Sequence, residues 1–211
     1  LRPASRLFYT LPYQASMNAM AERLSDKHFG VSLGSPDNLQ VAIQHSRATL
    51  SLYQMAMDAD SGAAPRQAAR QAQDRQDRTR LNFYPVQVFS PYQMLKAAYQ
   101  LKGYETLLVD YTNALFIFDE IHAYDPERMA LIITFVGWLG QQYGGRFLIM
   151  TATLPPVVRE RLCEALPGCD VIEAAAETYI ESRRHVVHLM DGDVLDQLEH
   201  PFADWQSGQS V

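Results

Sequence analysis

Short apolar runs alternate with stretches of helical spacing along most of this chain. Leu7–Leu11, Leu39–Gln44, Pro85–Phe89, Ala114–Phe118 and Arg146–Met150 have the length and composition of strands. Ala114–Phe118 carries no polar alternation, the mark of a strand covered on both faces of a parallel sheet, and Arg146–Met150 reads as another buried strand. Helical patterns fill the intervals: Gln14 to about Lys27, Arg47–Met57, Pro91–Leu101 and Pro155–Leu166. In Arg47–Met57, the residues Leu50, Tyr53, Gln54 and Met57 fall close to one face. Asp125 followed by Pro126 offers an N-cap and a first-turn proline, so a further helix starts there. It runs to about Gln142 and stops at Gly144-Gly145. Alternation of this kind predicts βαβ units, hence an α/β fold with a parallel sheet and helices on both faces.

Two regions depart from the pattern. Asp58-Ala-Asp-Ser-Gly-Ala-Ala-Pro65 is a cluster of helix breakers, and an Arg/Gln/Ala-rich stretch follows it. From Arg66 to Arg80 five arginines face two aspartates, a local charge of +3. The insertion at about 58–80 reads as solvated or as an exposed helix, with nucleic-acid contact the minority alternative. Near the other end, Val171-Ile172 and Arg184–Leu189 are candidates for short terminal strands, and the polar, acidic residues that follow read as tail or linker.

Composition narrows the classes. The 211 residues suffice for one sizeable core, and 47% hydrophobic with 20% charged residues is ordinary for a globular chain. A net charge of −6 removes any global basic field, though a nucleic-acid groove needs only local positive charge. Cys163 and Cys169 have no metal-ligand spacing, no expected partners and no disulfide framework, which suggests a reducing cytoplasm. No apolar run approaches a membrane span and no signal peptide is visible. Leu1 is not methionine and a core strand begins by Leu7, so the chain is expected to be a piece of a longer protein.

The chemistry concentrates after two strands. In Phe116-Ile-Phe-Asp-Glu-Ile-His-Ala-Tyr124 an apolar strand ends in Asp119 and Glu120, with His122 two residues on. Ligands of open α/β sheets sit beyond the carboxyl ends of such strands. There one carboxylate suits magnesium, and its neighbour can orient or deprotonate an attacking water. Met150-Thr-Ala-Thr-Leu-Pro155 follows the next strand, which a right-handed crossover returns to the same edge. Thr151 and Thr153 are thereby expected near the carboxylates or His122; alone, Thr-Leu-Pro-Pro would merely cap a helix.

Asp119-Glu-Ile-His-Ala-Tyr and Thr151-Ala-Thr-Leu-Pro together resemble the superfamily-two helicases and, more narrowly, the helicase subunit of type I CRISPR interference systems. Three segments extend the resemblance over roughly Leu7 to Leu166. Tyr9-Thr-Leu-Pro-Tyr-Gln-Ala-Ser-Met-Asn-Ala-Met20 and Phe89-Ser-Pro-Tyr-Gln-Met-Leu-Lys-Ala97 are similar to the family's DNA-contacting motifs, and Val41-Ala-Ile-Gln-His-Ser46 to a strand and loop between them.

The resemblance implies a first RecA-like motor domain over about 1–175, with 176–211 a linker toward a second motor domain or a tail. Its cofactors are ATP and Mg2+. Asp119 holds the magnesium and Glu120 activates water. Thr151, Thr153 and His122 couple the phosphate state to domain closure. Single-stranded DNA is expected along Thr10, Pro12, Gln14, His45, Ser90 and Pro91, with Tyr13 and Tyr92 either stacking on bases or packing in the core. For His45 a satisfied structural role is as good a reading.

A CRISPR surveillance complex is the implied partner, with second motor and nuclease domains outside this chain. Tyr13 stands where the family usually has threonine, and Thr151 where serine is common. The glycine-lysine loop that anchors a triphosphate is absent from these residues and expected upstream of Leu1, so this chain alone is expected not to hydrolyse ATP. Two other readings stand beside this one: a different motor of the same superfamily, and a non-catalytic DNA- or partner-binding module.

Overall fold

The computed structural model describes residues 6–59, 64–175 and Thr178. Five strands, β1 (Leu7–Thr10), β2 (Val41–Gln44), β3 (Val86–Phe89), β4 (Leu115–Phe118) and β5 (Arg146–Ile149), form one sheet in the order β2-β3-β1-β4-β5. All four pairings are parallel. Among the described residues seven helices accompany them, six between strands and the last after β5: α1 (Gln14–Phe29), α2 (Ala48–Ala59), α3 (Pro65–Arg80), α4 (Pro91–Ala98), α5 (Tyr104–Tyr111), α6 (Pro126–Tyr143) and α7 (Pro156–Ala165). The fold is therefore the expected α/β sheet with helices on both faces. The short α5, which begins after Gly103, goes beyond the elements the periodicity predicts.

The pleat sorts side chains into two cores. On one face Phe8, Phe89, Phe116 and Phe118 pack with Met94, Leu95, Tyr111, Ile132, Val136 and Leu162 from α4, α5, α6 and α7. Here rings pair across neighbouring strands, Phe8 over Phe116 and Phe116 over Phe147, each at 5.2 Å and nearly parallel. Opposite them Tyr9, Val41, Ile43, Val86 and Val88 pack with Met17, Ala21, Leu52 and Ala72 from α1, α2 and α3.

Helix α6 begins and ends where its sequence says. Asp125 accepts the Arg128 amide at its N-terminus, and Gly144 closes it at φ 65°. A Cβ at Gly144 would come within 2.7 Å of the Asn113 side chain, so position and conformation both call for glycine.

Three expectations change. The Arg/Gln-rich stretch is a helix, one of the two expected alternatives, but it is not exposed all round: Ala68, Ala72, Arg75, Gln76 and Thr79 are buried at helical spacing against α2 and β2. Strand β5 is not buried on both faces. Arg146 is exposed and Leu148 is half-exposed, because α1, α2 and α3 cover the β2, β3 and β1 side and leave this end open. Val171-Ile172 is not a strand; Arg184–Leu189 lies outside the described residues. The chain divides into two units, Leu1–Cys169 and Asp170–Val211, compared with an expected boundary after residue 175.

Candidate active site

Parallel register sets the site. Gln44, Phe89, Thr10, Phe118 and Ile149, the last residues of the five strands, stand in one row across the sheet. One step beyond that row stand His45, Ser90, Leu11, Asp119 and Met150, so the motifs read from separate stretches of sequence meet at one edge. The ladder continues into them, with the Asp119 amide bonded to the Thr10 carbonyl and the Met150 amide to that of Phe118.

Asp119 is held at both oxygens. Oδ2 accepts the Tyr9 hydroxyl at 2.7 Å, and Oδ1 accepts the amide of Glu120 at 3.0 Å. Glu120 itself adopts the left-handed conformation, φ 53° and ψ 41°, uncommon for a residue with a long side chain. That turn opens the short 3-10 segment Ile121–Ala123, whose Ile121 anchors it in the core. His122 is then returned toward Glu120: its Nδ1 lies 3.2 Å from Glu120 Oε2 and 2.9 Å from Thr151 Oγ1. The Thr151 hydroxyl donates to the Thr153 carbonyl at 2.8 Å. With that proton committed, Nδ1 of His122 is the donor to Thr151, which assigns the tautomer from the network.

Thus Asp119, Glu120, His122 and Thr151 are brought together. Thr153 joins through its backbone and leaves its side chain exposed. Among the described residues no three His, Cys, Asp or Glu side chains gather as a metal cage. One or two carboxylates on an open edge are what magnesium takes from a protein, the rest of its shell being water and substrate phosphate. The donor set is compatible with that ion, Asp119 being the carboxylate placed to hold it.

The proposed strand-contacting residues divide. Gln14 is exposed and bonds Ser46 at 2.9 Å; Pro12 and Ser90 are half-buried at the edge. Thr10 is fully buried and Pro91 is buried too, so neither side chain presents itself to a strand; pleat alternation turns Thr10 into the phenylalanine core. His45 is buried with both ring nitrogens engaged, Nε2 on Asn18 Oδ1 at 2.8 Å and Nδ1 accepting the Arg47 amide at 3.1 Å. Burial lowers its pKa from the usual histidine value, in keeping with a neutral ring. Tyr13 and Tyr92 are both exposed, and Tyr92 carries the Arg128 guanidinium 5.4 Å from its ring centre.

One site residue escaped the sequence reading. Tyr9 shares a sheet face with Asp119 because Tyr9 pairs with Ile117, which places Asp119 on the diagonal. Its phenol is held in the neutral form, first by burial and then by the bonded Asp119 carboxylate. The expectation that the cysteines lack partners is also corrected: Cys169 Sγ lies 3.4 Å from Cys163 Sγ, with no disulfide between them. A groove of about 490 Å3 among Leu95, Tyr99, Leu108, Phe135 and Trp138 includes none of the site residues.

No family model matches the chain. Among curated proteins it is 30% identical over 176 residues to the CRISPR-associated endonuclease/helicase Cas3 of Thermus thermophilus, covering 78% of this chain and 18% of that one. It is 28% identical over 209 residues to the CRISPR-associated nuclease/helicase Cas3 of Methanothermobacter thermautotrophicus, covering 92% of this chain and 22% of the relative. The chain thus spans about a fifth of the relatives it matches. Solved structures of T. fusca Cas3, alone and with ATP, superpose with TM-scores of 0.55 and 0.54 at 22% identity. They cover 76% and 75% of this chain and 17% and 16% of theirs, and establish the fold.

Proposed function

We propose that this chain, homologous to the Cas3 nuclease/helicases over most of its length, is part of the first motor domain of an ATP-driven, single-stranded DNA translocase in CRISPR antiviral defence. The observation that carries the reading is the bonded array Tyr9–Asp119–Glu120–His122–Thr151 on the carboxyl edge of a parallel sheet. Asp119, fixed at both oxygens, would hold magnesium, which would supply neutralisation of the negative charge on a bound triphosphate. Glu120, exposed beside His122, orients and deprotonates the attacking water. His122 bridges that carboxylate to Thr151, so a change at the phosphate is passed to the start of α7 and from there to domain closure.

Pro12, Gln14 and Ser90 lie on the same edge, where exposed polar groups and helix-start amides suit phosphates of any sequence. Binding there tracks the backbone, which is what a stepping motor needs. The triphosphate-anchoring loop is not among these residues, so the 211-residue chain purified alone is expected to turn over no ATP.

The test is Glu120→Gln in the intact protein. It should abolish DNA-stimulated hydrolysis and leave ATP binding in place; undiminished turnover removes Glu120 from the mechanism.

A further inference from the structure

We propose that Tyr9 is a positioning residue of the magnesium site, its hydroxyl setting the rotation of the Asp119 carboxylate toward the edge where the ion binds. The proposal rests on the reading of Asp119 as the metal ligand and adds a residue to it.

Tyr9 is only 7% exposed, lies in the central strand β1 with β3 and β4 on either side, and packs in the core shared with Met17 and Val88. Its oxygen is therefore a fixed point. From there it donates to Asp119 Oδ2 at 2.7 Å, while the Glu120 amide donates to Oδ1 at 3.0 Å. A carboxylate with one donor can swing about its side-chain torsion; with a rigid donor at each oxygen it cannot. Each oxygen accepts one bond here and retains acceptor capacity for a hard cation. Both donors are uncharged, so they orient the group without neutralising it. Partners that hold a ligating carboxylate in this way set metal affinity as well as geometry.

A purely structural role would use the same bond in reverse, with Asp119 satisfying a buried phenol. In that case removing the hydroxyl would alter folding stability and leave metal affinity alone. Metal affinity therefore separates the two roles.

The experiment uses the intact protein with ADP bound and reads Mn2+ affinity by electron paramagnetic resonance, alongside the Mg2+ dependence of ATP hydrolysis. Tyr9→Phe should weaken Mn2+ binding by roughly 10-fold or more and raise the half-saturating Mg2+ concentration by the same factor. Turnover at saturating Mg2+ should recover, since Glu120 is untouched. Unchanged Mn2+ affinity in folded Tyr9→Phe overturns the proposal, including when its melting temperature falls. Asp119→Asn is the companion: wild-type Mn2+ affinity in that variant defeats the metal assignment itself, whereas loss there with no loss in Tyr9→Phe defeats only the role of Tyr9. If Tyr9→Phe does not fold, 3-fluorotyrosine at position 9 keeps the ring and hydroxyl and changes only the strength of the bond. Mn2+ affinity must then shift, and an unshifted value overturns the proposal.

Discussion

The two ends of this sheet carry polar networks of opposite design. At the amino end Arg6 pairs with Asp110 at 2.9 Å, donates to the carbonyls of Asn82 and Tyr84, and is joined by Asn82 bonding Asp110 and Gln87 bonding Asn82. Charge there is cancelled inside the chain. At the carboxyl end Asp119 receives only a phenol and an amide, and among the described residues no arginine or lysine forms an ion pair with it or with Glu120. This acidic pair, on the edge where five strands end in register, is the feature on which the proposed magnesium role of Asp119 rests. Charge is paired and partly buried in the first network; in the second it stays exposed, as the proposed function requires.

Substitutions at each end sharpen that contrast. The largest effect is expected at Glu120: in the intact protein Glu120→Gln should lower the ATPase rate by roughly 10² to 10⁴-fold, the span of general-base contributions. Its melting temperature should stay close to wild type, as no buried partner is lost. Asp110→Ala should do the reverse, destabilising by about 2 to 3 kcal/mol because the partly buried Arg6 loses its counter-charge. Urea unfolding reads the loss, and nucleotide turnover per folded molecule should hold. A fall in turnover as large as that of Glu120→Gln would erase the distinction between the two networks.

Tyr9→Phe comes next, as a shift in metal dependence with little change in maximal rate. The smallest effect is at His45. Burial depresses its pKa in the folded chain below the ordinary 6.5, so the stability it contributes is full above that value and is lost as pH falls through the folded value. Acidification charges Nδ1, which then can no longer accept the Arg47 amide. Thermal unfolding between pH 7 and 5 should show a slope that His45→Gln reduces; an identical slope would assign it to other groups.

Much of this architecture was legible because apolar length and turn chemistry are local. The end of β4 in Asp119-Glu120, the Asp125–Pro126 start and the Gly144 stop of α6 needed only neighbours in sequence. The failures were questions of what lies across space. Helix α3 hides its packed face because that stripe is Ala68, Ala72, Arg75, Gln76 and Thr79, with no large apolar residue to announce it. Arg75 is buried against the Tyr84 ring at 5.7 Å and donates to the Ser35 carbonyl, so one of the five arginines counted as exposed charge is interior.

Strand β5 has the composition of a covered strand, yet coverage depends on where helices land. Thr10 and Tyr9 exchanged roles for a similar reason. A motif string does not say which of two adjacent residues faces the core, and only the pairing of β1 with β4 puts Tyr9 beside Asp119. The Cys163–Cys169 approach needed the turn that follows α7.

The left-handed turn at Glu120 bears on how this position can drift under mutation. Its backbone, at φ 53°, is one that glycine adopts freely and that asparagine and aspartate tolerate better than longer or branched residues. The replacements most at ease with the fold thus either discard the carboxylate or draw it back by a methylene. Valine, one base change away from glutamate, would pay in strain. Stability therefore gives no protection to the glutamate. Under the role proposed for Glu120, selection on turnover would have to keep it there, and a lineage released from that selection would be expected to lose hydrolysis at this residue before it lost the fold.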